Sequence, residues 1–143
     1  MVAVLPAIGE ELLFRGIVQR MFVRITKNIH WGIWISAILF SAMHMQFYGF
    51  IPRMLLGALF GYLLVWSGSM WLPILGHFLN NGIAVVATFL IHNKQLSPEV
   101  ETYGSTSDSY FAAVASFAII VALLLMIKRN NSGNIIKPEA LTN

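Results

Sequence analysis

Residues 54–93 read MLLGALFGYLLVWSGSMWLPILGHFLNNGIAVVATFLIHN, 40 positions without one Asp, Glu, Lys or Arg. A bilayer core of about 30 Å takes roughly 20 helical residues at about 1.5 Å each. The stretch is therefore long enough for two spans, divided at Ser67-Gly68-Ser69.

The pattern continues on both sides. Residues 28–52 form a second uncharged run and residues 109–127 a third, each long enough for one span. Across all 143 residues only 9 are basic and 6 acidic, while 57% belong to the hydrophobic set. Charged residues are 10% of the chain, against roughly 25% in an ordinary soluble domain. The mean hydropathy of +0.73 agrees. A net charge of +3 invites a nucleic-acid reading, but the basic residues form no stripe, and no nucleic-acid partner is expected. Without cysteine, disulfides and thiolate chemistry are excluded. No cleavable leader is expected, because Glu10 and Glu11 interrupt the first apolar stretch and no basic segment precedes it.

The breaks between runs predict an all-α, polytopic transmembrane bundle of about five helices, near 5–25, 30–45, 52–66, 72–92 and 110–127. Gly49 and Pro52 mark one connection, and Pro52 suits a first helical turn, where the missing N–H is not needed. One membrane domain is expected over 1–127, followed by a polar tail over 128–143. Alternating the helix ends puts Lys27, Lys128, Arg129 and Lys137 on one side and Arg53, Lys94, Glu99, Glu101 and Asp108 on the other. The Lys/Arg bias makes the first side, with the C-terminus, cytoplasmic. Gly57 and Gly61 form a GxxxG pair that permits close helix approach. Trp31, Trp34, Trp66 and Trp71 fall near helix ends, as an interfacial belt requires.

Ionisable groups inside such helices are costly, about 2.5–3.5 kcal/mol each on insertion scales, and so point to function. Three clusters carry that cost. In Glu10-Glu11-Leu12-Leu13-Phe14-Arg15, Glu11 and Arg15 are four apart and pair on one helix face. Glu10 lies about 100° round the helix from Glu11, leaving it as the unpaired carboxylate and the candidate general base. The alternative is that both glutamates pair with Arg15. In the second cluster, His44 follows Phe40 by four; alone, it reads more simply as a hydrogen-bonded residue at a helix end. Ser36 and Ser41 read as hydroxyls bonded back to their own helix. In the third, His77 and Asn81 share a face and offer two donors to one volume, which suits an oxyanion. Asn80 points elsewhere, as a packing or capping group. His30 and His92 read as interfacial.

Together the clusters supply a base, a water-positioning imidazole and an oxyanion site. They also offer Glu10, His44 and His77 to a divalent metal such as zinc, with Asn81 nearby, so the cofactor stays open between such an ion and none. Neither HExxH nor GxSxG occurs.

The three clusters in order, EExxxR, FxxxH and HxxxN, resemble the signature of the CPBP family, the CAAX prenyl protease and bacteriocin-processing (Abi-type) intramembrane endopeptidases. The match covers roughly residues 6–92. The resemblance implies a CAAX-protease-like core in which Glu10 activates the attacking water and His44 helps to hold it. It further implies that His77 and Asn81 stabilise the oxyanion, and that Glu11 and Arg15 are a structural ion pair. The implied substrate is a membrane-associated or lipidated (prenylated) peptide, and the implied location is a bacterial inner membrane. Family members usually carry more helices before the first motif, which leaves an N-terminally truncated fragment, a mis-started reading frame and a minimal member as the alternatives. The competing reading is a non-catalytic membrane scaffold or bacteriocin immunity protein, in which the same polar groups only tie helices together. A transporter is disfavoured by the short length and by the lack of an inverted repeat.

Overall fold

In a computed structural model, the described residues are 4–45, 47, 49–97, 122 and 124–130. Every described element is helical: α1 (Val4–Glu11), a π-helical stretch (Leu12–Val18), α2 (Gln19–Thr26), α3 (Ile29–Met43), α4 (Phe50–Ser67) and α5 (Trp71–His92). The first four expected helices are present, with the first divided by the π stretch. The expected fifth, 110–127, lies almost wholly outside the described residues, although 124–130 are helical.

Local chemistry sets the boundaries. Lys27 takes a left-handed conformation (φ 55°) and stops α2. The Asn28 side chain then accepts from the His30 and Trp31 N–H groups, at 2.8 and 3.3 Å, and starts α3. Gly68 ends α4 with φ 70°, its N–H bonding the Leu64 carbonyl at 2.9 Å. Ser69 Oγ accepts from the Trp71 N–H at the start of α5.

Glycine lets three helices approach closely. A Cβ at Gly57 would lie 3.2–3.3 Å from Phe40 and Ala37, and one at Gly61 would lie 2.9 Å from Ile33 and Gln19. α4 thus packs on α3 through the GxxxG face. On the other side of α3, a Cβ at Gly32 would fall on Val23 Cγ2. The apolar core is Val23, Ile33, Ala37, Ala58 and Val65, with Trp34, Met54, Tyr62 and Trp66 at its margin.

Burial is inverted relative to a water-soluble fold. Glu11, Arg15 and Gln19 are at most 1% exposed, while Leu5, Ile17 and Ile25 on the same continuous helix are more than 60% exposed. In α5 only Pro73 and His77 are buried among 22 residues. Polar side chains facing in and apolar ones facing out suit a lipid surround. Phe50–Ser67 and Trp71–His92 are long and apolar enough to cross a bilayer, and Ile29–Met43 is apolar but has 15 residues. Of the four tryptophans, Trp31 and Trp71 are exposed, whereas Trp34 and Trp66 pack against the core.

Candidate active site

The site forms where the end of α1, the end of α3 and the first half of α5 meet. Glu11 Oε2 lies 3.0 Å from Arg15 Nε, the ion pair expected from the spacing. Arg15 is buried and has further partners. Its Nη2 donates to the Gly57 carbonyl at 3.0 Å, and its guanidinium lies over the rings of Phe40 and Phe60 at 4.8 and 5.5 Å. The charge is thereby embedded in aromatic faces, a favourable place for a guanidinium.

Glu11 has a second partner that spacing could not show. His77 Nδ1 donates to Glu11 Oε1 at 2.8 Å, joining α5 to α1 across 66 positions. The His77 ring stacks on Phe60, with centroids 5.5 Å apart and planes at 22°, and meets Phe40 edge-on. His44 is fixed in a similar way. Its Nδ1 donates to the Phe40 carbonyl at 2.9 Å, and its ring packs edge-on against Phe40.

With both Nδ1 atoms committed to acceptors, each imidazole presents Nε2 to the same place. There stands Glu10 Oε2, 3.7 Å from His44 Nε2 and 3.8 Å from His77 Nε2. These gaps exceed a direct hydrogen bond. Glu10 Oε2 is buried and makes no hydrogen bond to another described group. Glu10 is therefore the carboxylate outside the Glu11–Arg15 pair, but it is flanked by two imidazoles.

Beside this cluster opens a cavity of about 420 Å³, lined by Phe40, His44, Gly49, Pro52, Arg53, Leu56, His77, Asn80 and Asn81. His44, His77 and Asn81 are thus brought to one hollow, with Glu10 against the two imidazoles. Two expectations are corrected. Asn80 is not turned away as a packing or capping group: consecutive helix positions both reach the wall, since the cavity is wide enough to span them. Ser36 and Ser41 do not bond back within α3. They donate to the Phe14 and Phe50 carbonyls at 3.0 and 2.7 Å, tying α3 to the π stretch and to α4. Arg53 is a lining residue that sequence reading left among the loop charges; its place next to Pro52 in the turn after His44 was the available signal.

A divalent metal was one option for Glu10, His44 and His77. Among the described residues no group of three His, Asp or Glu side chains is arranged to hold a metal ion.

Comparison with known proteins adds the lineage. Residues 1–83 match the family model described as type II CAAX prenyl endopeptidase, Rce1-like. The chain is also 29% identical over 83 residues to the uncharacterized protein YpbD of Bacillus subtilis, covering 55% of this chain and 39% of YpbD. It thus spans well under half of the length of that relative. No solved structure matches.

Proposed function

We propose an activity from one premise: the chain belongs to the Rce1-like family of type II CAAX prenyl endopeptidases. The proposed function is intramembrane hydrolysis of a peptide bond in a membrane-associated or prenylated, CAAX-like peptide. One observation supports it above the others, the placement of Glu10 Oε2 within 3.8 Å of two imidazole Nε2 atoms beside a cavity that Asn80 and Asn81 also line.

The proposed chemistry uses Glu10 as general base. A water about 2.8 Å from both Glu10 Oε2 and His44 Nε2 fits beside a gap of 3.7 Å. Glu10 takes a proton from it as the water oxygen bonds the scissile carbonyl carbon. The carbonyl oxygen becomes an oxyanion, held by His77 Nε2–H and the Asn81 side-chain amide. With Nδ1–H committed to Glu11, His77 donates from Nε2 only as imidazolium, and Glu11 sits beside that charge. Collapse of the intermediate breaks the C–N bond, and Glu10 returns its proton to the leaving amine. The low-dielectric surround strengthens each of these charge interactions.

The same reading takes residues 1–127 as one membrane domain and 128–143 as a tail, in a bacterial inner membrane. By the Lys/Arg bias the end bearing Lys27 and Lys128 is cytoplasmic. The cavity wall then includes the α3–α4 connection at the opposite end.

The test is cleavage of a membrane-anchored peptide by purified protein, with Glu10→Gln as the control and chelator added and removed in parallel. Loss of turnover by a folded Glu10→Gln protein supports the reading, and equal turnover overturns it. The scaffold or immunity reading draws on Arg15, Gln19, Ser36 and Ser41, whose hydrogen bonds do tie helices. Glu10 makes no such tie, and that favours chemistry.

A further inference from the structure

Arg20 is a cation for which the described residues hold no free counter-charge. Residues 12–98 contain no Asp or Glu, and the described acids, Glu10 and Glu11, lie nine or more positions upstream. Glu11 is committed to Arg15 and His77, and Glu10 stands against the two imidazoles. Arg20 is half-buried, and its Nε is buried with no hydrogen bond to another described group. Two turns later on the same face comes Lys27, exposed, at the left-handed residue that ends α2. Arg24 lies between them and is already engaged within the protein. Beside this basic strip runs an apolar one, Ile17, Met21 and Ile25, with 62, 45 and 67% exposure. A cation set next to lipid-facing side chains is costly unless an anion meets it.

Packing fixes the level of Arg20. A Cβ at Gly32 would lie 3.0 Å from both the Gln19 carbonyl and the Val23 nitrogen, so this part of α2 is held beside the first turn of α3. In that turn Trp31 is exposed, and His30 Nδ1 lies 2.8 Å from the Tyr62 hydroxyl. Tyr62 stacks on Trp66, and Lys128 Nζ lies over the Trp66 ring at 5.8 Å. Such a set of amphipathic rings and ammonium groups suits the headgroup layer of a bilayer, which the stem of an arginine can reach from slightly deeper. The anion abundant at that level is the phospholipid phosphate. A guanidinium fork matches two phosphate oxygens, and an ammonium adds a point charge. We propose that Arg20 and Lys27 bind the headgroup phosphate of an anionic phospholipid, with its acyl chains lying along Ile17, Met21 and Ile25. A zwitterionic lipid brings its own cation to the same phosphate and is the weaker ligand. The inference needs the bilayer and makes no use of the hydrolysis.

The experiment counts lipids retained by the purified full chain in native mass spectrometry. Phosphatidylglycerol or phosphatidylcholine with identical acyl chains is added to maltoside micelles. The native protein should favour phosphatidylglycerol by about tenfold or more, the share of two basic groups at a charged headgroup. Arg20→Gln and Lys27→Gln should each cut that preference by about fivefold, and the double variant should abolish it. Arg20→Lys, which keeps the charge without the fork, should retain part of it. Lys94→Gln, which removes one charge from the opposite end, should leave it unchanged. Equal retention of the two lipids by the native protein overturns the proposal, as does a preference that survives the double variant. A loss in Lys94→Gln as large as in Arg20→Gln overturns it too, since net charge alone would then be at work. So does displacement of the lipid by an equal concentration of inorganic phosphate, which would make the ligand a free anion. None of these readouts requires turnover, so failure here leaves the endopeptidase reading standing.

Discussion

Glu11 holds His77 through a 2.8 Å hydrogen bond while its other oxygen lies against Arg15, so one fully buried carboxylate serves a cation and an imidazole together. Glu11→Gln removes the charge that both depend on. Leaving a buried cation uncompensated costs about 3–5 kcal/mol. A large fall in thermal stability in detergent is expected, together with loss of turnover. Unfolding followed by circular dichroism checks the first, and retention of native stability would show that Arg15 has another counter-charge.

Glu10 should behave differently. It forms no hydrogen bond with another described group and is partly exposed, so Glu10→Gln should leave helical content and melting nearly unchanged. Turnover should fall by about 10²–10⁴, the usual contribution of a general base. A matched pair of melting curve and peptide-cleavage rate separates the two glutamates.

His77→Ala is a poorer probe than the sequence suggests. The ring is buried, stacked on Phe60 and bonded to Glu11. Its removal should therefore lower stability as well as activity. His44, which is more exposed, should lose activity with a smaller stability cost on substitution by Ala, and comparison of the two melting curves tests the difference.

Glycine substitutions should sort by contact. Gly32→Ala and Gly61→Ala should destabilise by about 1–3 kcal/mol, because their new Cβ atoms meet Val23 and Ile33. A Cβ at Gly9 or Gly16 has nothing within 4 Å, so Ala there should be neutral or slightly stabilising. Denaturation in detergent of the four single variants is sufficient to check the order.

The chain has no cysteine, so single Cys probes report orientation without background. Cys at Lys27 should be labelled from the cytoplasmic face, and Cys at Lys94 from the opposite one. The reverse pattern would turn the α3–α4 connection toward the cytoplasm, where a prenylated cytosolic peptide would arrive.

The all-helical class and the placement of α3, α4 and α5 were legible because each uncharged run is bounded by charge or broken at Gly or Pro. α4 and α5 fall within two residues of the expected ends. Glu10, His44, His77 and Asn81 stood out in the sequence as candidates because polar and ionisable side chains are costly in apolar helices. What sequence hid was direction across helices. Spacing finds Arg15 for Glu11, four residues on, but not His77, which arrives from α5. The hydroxyls of Ser36 and Ser41 look locally satisfied until neighbouring carbonyls are placed. Asn80 was misread because a one-residue step on a helix changes the facing by about 100°, yet the cavity is broad enough to accept both neighbours.

The π stretch Leu12–Val18 separates Glu10 and Glu11 from the packing surface of α2. In it Gln19 N–H reaches back five residues to the Phe14 carbonyl, which also receives the Ser36 hydroxyl. The wide turn thus acts as a phase shifter between two halves of one rod. Ordinary α winding of the same seven residues would twist the upstream half by about 100°, the share of the one extra residue that the wide turn takes up. Gln19 and Val23 would stay seated, while Glu10 and Glu11 would be dialled out of register with both imidazoles.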